Sequence, residues 1–291
     1  MATITRPDER PVVVITGCSS GIGRALAIQF AKYQECTHYH VFATARDVET
    51  LRDLPPQIER VQLDVTDDAS TNECVESILA QVGRIDILVN NAGTNTAVGP
   101  TVEVDLDRYR STMEVNYFGL IRITSAVSRH MISRRSGRII NIGSTVGLVP
   151  LPYAAAYCSS KAAVHSYSEA LRMELAGFGV QVSIVSPGAI KSSFGERGAQ
   201  GIVLAKDSNY ASVQDMVKYR ANYSQVGRPA PTPAEDFAWE IISKVALPAY
   251  APVYFVGGSR SLMVKLLFYL PAWMRMWLIG KMFQLNRVGR A

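Results

Sequence analysis

The chain has 291 residues, of which 48% are hydrophobic and 19% charged. That balance excludes wholesale disorder and supplies one large α/β domain or two small ones. The net charge of +5 is spread thinly, with a short cluster at Arg134, Arg135 and Arg138 and more in the C-terminal tail; it suits a phosphorylated cofactor or an anionic membrane surface and is too weak for a nucleic-acid binder.

Four cysteines, Cys18, Cys36, Cys74 and Cys158, form no CxxC pair and no cluster with histidine, so no metal site is expected. The polar opening MATITRPDER has no apolar stretch of the secretory kind. Reduced thiols in a cytoplasmic protein are the expectation.

An apolar run over 12–15 leads into TGCSSGIG, Thr16 to Gly23, and then a helical pattern over 22–33. Gly17, Gly21 and Gly23 permit a tight turn and let the backbone approach a pyrophosphate. A helix starting near Ile22 offers its N–H groups and positive dipole end to the phosphates. Ser19 and Ser20 add hydroxyl donors beside that path. A second run, 40–44, ends at Ala45-Arg46-Asp47. NAD sites place a carboxylate at this strand end to accept from the ribose 2′-OH. Here Ala45 and Arg46 stand there, and a guanidinium pairs bidentately with a 2′-phosphate. The expected cofactor is therefore NADP(H), provided the register does not slip by one and bring Asp47 into place. Ser19 is a second candidate for that phosphate.

A third run, 60–63, ends at Asp64, and 85–89 ends at Asn90-Asn91-Ala92-Gly93. A long helical pattern covers 106–134, a strand 138–142, a helix 154–176 and a strand 180–185 before Pro187-Gly188. Short runs apolar on both faces, alternating with helices, predict a parallel sheet covered on both sides. The expected fold is α/β, a single Rossmann-type doubly wound domain over 1–258 with a C-terminal helical extension over 259–291. Its crevice lies at the carboxyl ends of the strands, where Gly17, Arg46, Asp64, Asn91, Ser144 and Pro187 would converge.

In YCSSK, Tyr157 and Lys161 stand four apart and share a helix face. The pair alone fits either a catalytic pair or an ordinary surface pair. Together, the GxxxGxG spacing at 17–23, Asn-Ala-Gly at 91–93 and Tyr-x-x-x-Lys at 157–161 resemble the short-chain dehydrogenase/reductase family, over about residues 11 to 193. ITGCSSGIG and YCSSK resemble the branch holding 17β-hydroxysteroid dehydrogenases, some retinol dehydrogenases and fungal 1-acyldihydroxyacetone-phosphate reductases.

The resemblance implies a catalytic set of Asn116, Ser144, Tyr157 and Lys161. Tyr157 would give a proton to a carbonyl oxygen that Ser144 holds. Lys161 would lower the phenol pKa and bind the nicotinamide ribose, and Asn116, in MEVNYFG, would support a water-linked proton path to it. Asp64 and Val65 match the family's adenine contact, and Asn91, Ala92 and Gly93 the segment under the adenine ribose. Pro187, Gly188, the Ile190 backbone and Ser192, with Ser193 as its alternative, match the nicotinamide wall. A homodimer or homotetramer through the Asn116 and Tyr157 helices is also implied.

The substrate walls are expected at 94–100, 145–153 and 194–226, where apolar and aromatic residues suit a hydrophobic ketone or alcohol from lipid, steroid or secondary metabolism; the same residues would also serve to close a core. His165 and Glu169, four apart, read as helix-surface or interface residues. The stretch 261–283 is interrupted by Lys265, Pro271, Arg275 and Lys281 and is too broken to span a bilayer. It is open to three roles: pocket cover, oligomer contact or peripheral membrane or lipid-droplet contact. Reduction of a ketone is the expected activity, with oxidation of a steroid- or retinol-like alcohol, specialised-metabolite ketone reduction, or non-catalytic NADP(H) sensing as alternatives.

Overall fold

The apolar runs become seven parallel strands: β1 (Val12–Ile15), β2 (His40–Ala45), β3 (Ile58–Gln62), β4 (Ile87–Asn90), β5 (Gly137–Ile142), β6 (Val180–Pro187) and β7 (Tyr254–Gly257). This computed structural model describes residues 10–33, 39–192, 194 and 204–289. The sheet order is β3-β2-β1-β4-β5-β6-β7, so the winding direction reverses between β1 and β4 and opens a crevice there. β7 has no counterpart in the sequence reading. It is a four-residue edge strand beside β6, begins on the exposed Tyr254 and ends on Gly257, and so lacks the doubly buried run of the central strands.

Strand alternation sorts the core. Val13 and Ile15 face one side, where α1 (Gly21–Lys32) packs with α7 (Ala234–Ile241) through Phe30 and Phe237. Val12 and Val14 face the other, against α2 (Asp68–Val82), α4 (Gly119–Arg134) and α5 (Ala155–Ala176) through Ile78, Ile123 and Met131. The predicted helix over 106–134 is interrupted: α3 (Leu106–Met113) passes into α4 through a π turn at Glu114–Phe118 centred on the buried Asn116. Such turns insert one residue into the helical ladder and often mark functional sites.

A third cluster joins the loops above the sheet to the C-terminal extension. Val149, Tyr153 and Val213 and Val217 near and on α6 (Gln214–Asn222) pack with Ile279 and Phe283. The extension forms α8 (Ser261–Tyr269) and α9 (Ala272–Met282), with Pro271 capping the break between them. Phe283 is fully buried, and a side chain of that size contributes about 1.5–3 kcal/mol of burial. The extension thus shares a core with the rest of the chain. Among the described residues, no helix is long and apolar enough to cross a membrane.

Candidate active site

The turn after β1 shows why glycine is needed. Gly17 and Gly21 adopt left-handed φ values of 71° and 59°. A Cβ on Gly17 would lie 2.8 Å from Ala92 Cα, and one on Gly23 would lie 2.3 Å from Asn91 Nδ2. The turn is stapled to the end of β4. Thr16 Oγ1 accepts from the backbone N–H of Asn91 (3.0 Å) and Ala92 (2.9 Å), while Asn91 Nδ2 donates to the carbonyls of Thr16 (2.9 Å) and Gly17 (3.0 Å). The Asn91 amide is thereby spent on holding the turn. No side chain caps the start of α1, so its first N–H groups face the cleft as an anion cradle. Ser19, Ser20, Gly21 and Ile22 line it. A dinucleotide pyrophosphate fits this cradle.

At the end of β2, Ala45 pairs with Gln62 as the last strand residue and Arg46 enters the cleft wall. Asp47 instead caps the short helix Val48–Leu51, accepting from the Glu49 N–H (3.0 Å). Asp64 and Val65 line the same end, and Asp64 Oδ1 accepts from the Thr66 N–H (2.9 Å) and hydroxyl (2.7 Å).

The opposite end gathers Ser144, Tyr157 and Lys161. Tyr157 and Lys161 lie in the first two turns of α5, on one face as expected from their spacing, and Ser144 follows β5. Ser144 lies beside the Tyr157 hydroxyl; burial pushes the phenol up to about 12, opposed by Ser144 and by the Arg220 charge. The expected lowering by Lys161 does not occur here. Its Nζ sits 5.9 Å from the Tyr157 ring centroid and donates to the Ile142 carbonyl (2.8 Å), and burial lowers its own pKa to about 8. Burial outweighs the opposing effects of Ser144 and Arg220 on the phenol.

Asn116 stands behind the cleft wall. Its Oδ1 accepts from the Thr94 N–H (2.7 Å), and its Nδ2 donates to the Thr94 carbonyl (2.9 Å) and to Ser160 Oγ (2.9 Å). The amide clamps the loop after β4 to α5. His165 departs from the expectation of a surface residue: it is 5% exposed, four residues beyond Lys161 on the same face. The Ser144 N–H donates to its Nε2 (3.4 Å), which also lies 3.2 Å from Ser186 Oγ. An imidazole that accepts there is neutral, and burial with the nearby Lys161 charge lowers its pKa to about 4. Glu169 is exposed and accepts from the Tyr254 hydroxyl.

Beyond β6, Pro187, Gly188, Ile190 and Ser192 line the cleft. Gln225, absent from the sequence reading, clamps this segment by accepting from the Ser192 N–H (3.0 Å) and donating to the Ile190 carbonyl (3.0 Å). The Ile190 carbonyl is therefore occupied. Ser193 lies outside the described residues, as does Cys36. Cys18, Cys74 and Cys158 are buried free thiols, and burial raises the first two to about 12, which makes them inert.

These groups share one cleft of about 560 Å³. Residues 11–201 match the family model described as short chain dehydrogenase. The chain belongs to the short-chain dehydrogenase family. It is 40% identical over 183 residues to the NADPH-dependent 1-acyldihydroxyacetone phosphate reductase of Schizosaccharomyces pombe, a match covering 62% of this chain and 60% of that one. It is 34% identical to human 17-beta-hydroxysteroid dehydrogenase type 1 over 258 residues, 84% of this chain and 77% of the other. A crystal structure of a short-chain dehydrogenase from Streptomyces avermitilis superposes with a TM-score of 0.78 at 29% identity, covering 97% of this chain and 100% of that one.

Around Tyr157 the cleft is walled by Val149, Leu151 and Phe194, whose ring lies 5.7 Å from that of Tyr157. Met263, Val264 and Leu267 of α8 and Met282 of α9 close it. The extension therefore contributes to the lining of the cleft.

Proposed function

We propose that this enzyme reduces the carbonyl of a hydrophobic substrate to a secondary alcohol with NADPH. The observation that carries the reading is the convergence of Ser144, Tyr157 and the buried Lys161 at the end of a cleft whose other end is a glycine cradle flanked by Arg46. The cradle at Gly17, Gly21 and Gly23 holds the pyrophosphate, Arg46 with Ser19 the 2′-phosphate, and Asp64, Val65 and 91–93 the adenosine. Pro187 to Ser192 and Lys161 hold the nicotinamide riboside. NADPH, when bound there, supplies hydride.

Ser144 donates to the substrate carbonyl oxygen and fixes it against Tyr157. A phenol near 12 is fully protonated at neutral pH and donates its proton as the oxygen gains charge. Buried beneath the ring, Lys161 is poised to return a proton, since its own pKa near 8 lies close to working pH. Oxidation of an alcohol is the same step reversed, and the 17β-hydroxysteroid relative keeps a steroid-like substrate open. Arg46 in the wall and Asp47 turned into its own helix cap favour NADP(H) over NAD(H).

The outer face of α8 and α9 exposes Leu262, Leu266, Tyr269, Trp273, Met276 and Trp277. Lys265, Arg275 and Lys281 accompany them, and residues 261–291 contain no carboxylate side chain. That combination complements an anionic membrane surface, and we assign it a peripheral membrane contact. Exposed Met173 and Phe178, on and after α5, are assigned to the homo-oligomer contact.

The test is NADPH consumption across steroid, acyl-dihydroxyacetone-phosphate and polycyclic aromatic ketones and the aldehyde retinal, with Tyr157→Phe in parallel. Removing a general acid costs about 10²–10⁴-fold in kcat. Turnover on the panel that survives intact in Tyr157→Phe removes Tyr157 from the acid role.

A further inference from the structure

Arg220 lies on α6 in the wall of the substrate end of the cleft and is 5% exposed. Its Nε is buried with no hydrogen-bond partner, and among the described residues its side chain makes no hydrogen bond and no ion pair. The nearest acid on its own helix, Asp215, is paired with Arg287 (2.9 Å). Burying a guanidinium unpaired is costly, and folded proteins answer that cost with a counter-charge. Among the described residues the cleft does not supply one: the carboxylate in its lining, Asp64, stands at the adenosine end.

Arg260, the other arginine at this end, is committed elsewhere. It donates to the carbonyls of Tyr223 (2.6 Å) and Val226 and stacks 4.9 Å over the Tyr223 ring. Its charge adds to a positive potential that Lys161 also feeds. Among the described residues, Arg220, Arg260 and Lys161 stand at one end with the Arg220 guanidinium uncommitted, and together they form a site for an anion. Val149, Leu151, Phe194, Met263 and Leu267 offer that anion's carrier an apolar wall.

We infer that the substrate is an amphiphile bearing an anionic headgroup, carboxylate or phosphate, which pairs with Arg220 while its carbonyl meets Ser144 and Tyr157 and its hydrocarbon body lies along the apolar wall. This rests on the carbonyl-reductase reading and narrows its substrate class. The headgroup completes the buried charge, so a neutral twin of the same shape leaves Arg220 desolvated and unpaired.

The experiment titrates the NADP⁺-saturated enzyme calorimetrically with two matched pairs: a long-chain γ-keto acid with its methyl ester, and a long-chain acyl-dihydroxyacetone phosphate with its dephosphorylated form. At least one anion is expected to bind about tenfold or more tighter than its neutral twin. Whichever pair shows the larger ratio identifies carboxylate or phosphate. Arg220→Met should bring the ratio to about one and Arg220→Lys restore part of it, with NADP⁺ affinity unchanged in both. The wild-type ratio needs no variant and stands even if Arg220→Met fails to fold. Equal binding within both pairs, no binding by any of the four, or a ratio that persists in Arg220→Met overturns the assignment. Turnover of neutral ketones without anion preference would leave the reductase reading intact while sinking this one. Arg220-dependent anion binding without turnover of any ketone would do the reverse.

Discussion

At the end of β2, a guanidinium in the cleft wall is followed by a carboxylate bound to its own helix cap, and cofactor choice turns on which of the two faces the ribose. Arg46→Asp should lower the NADPH-to-NADH ratio of kcat/KM by about tenfold or more, since it replaces a phosphate partner with a repelling charge. A ratio that does not move would place the 2′-phosphate elsewhere. The sequence spacing was enough to find Arg46, the glycines and the Tyr157–Lys161 pair, because each is set by local geometry: a strand end, a tight turn, one helix face. Arg220 and Gln225 were not legible. Each acts on residues more than thirty positions away, and no local pattern distinguishes a helix arginine in solvent from one buried in a cleft.

The elements that carry the proposed catalytic groups are held by polar contacts as much as by packing. The π turn at Glu114–Phe118 lets the Asn116 amide clamp Thr94 and Ser160, and the apolar periodicity on either side of it reads through as one helix. On α5, His165 holds the start of the loop at Ser144. A helix wheel places His165 beside Lys161 but does not tell which neighbour covers it; Gly143 and Gly147 do, since a Cβ on either would lie within 3 Å of the imidazole.

This burial has a pH signature. The imidazole titrates at 6.5 in the unfolded chain and at about 4 in the folded one. Between those values the unfolded state binds a proton the folded state does not, so stability present above pH 6.5 is lost as pH falls toward 4. The loss is on the order of 3 kcal/mol. Urea unfolding across this window should show that slope, and His165→Gln should flatten it. An unchanged slope in the variant would assign the acid limb to other groups.

Across the whole molecule, the fold class was legible because the central strands leave runs of nearly continuous apolar sequence; the edge strand β3, IERVQ, is mostly exposed, and the short edge strand β7 escaped. The extension is different, because its helices are apolar on both sides for different reasons. The inner side buries Ile279 and Phe283 and closes the pocket, while the outer side presents Trp273 and Trp277 to solvent. Composition does not separate those two faces. With the outer face on a bilayer, the pocket cover would lie against the phase from which a lipid-like substrate comes. Co-sedimentation should therefore be strong with vesicles containing phosphatidylserine and weak with phosphatidylcholine alone. The pair Leu266→Glu and Trp273→Glu should abolish it without changing turnover of a water-soluble ketone. Equal sedimentation with both vesicles, or a change in oligomeric state instead, would reassign the face.

Hydride delivery supported by Tyr157 and Ser144, from a cofactor held by the glycine cradle, is tested by mass spectrometry of the product formed from a ketone of the panel with NADPH carrying deuterium at both positions of the nicotinamide C4. One deuterium is expected at the new carbinol carbon with the wild-type enzyme and, in the same time, at least a hundredfold less product with Tyr157→Phe, about the loss of a general acid. Product without deuterium, or equal labelled product from Tyr157→Phe, would contradict it.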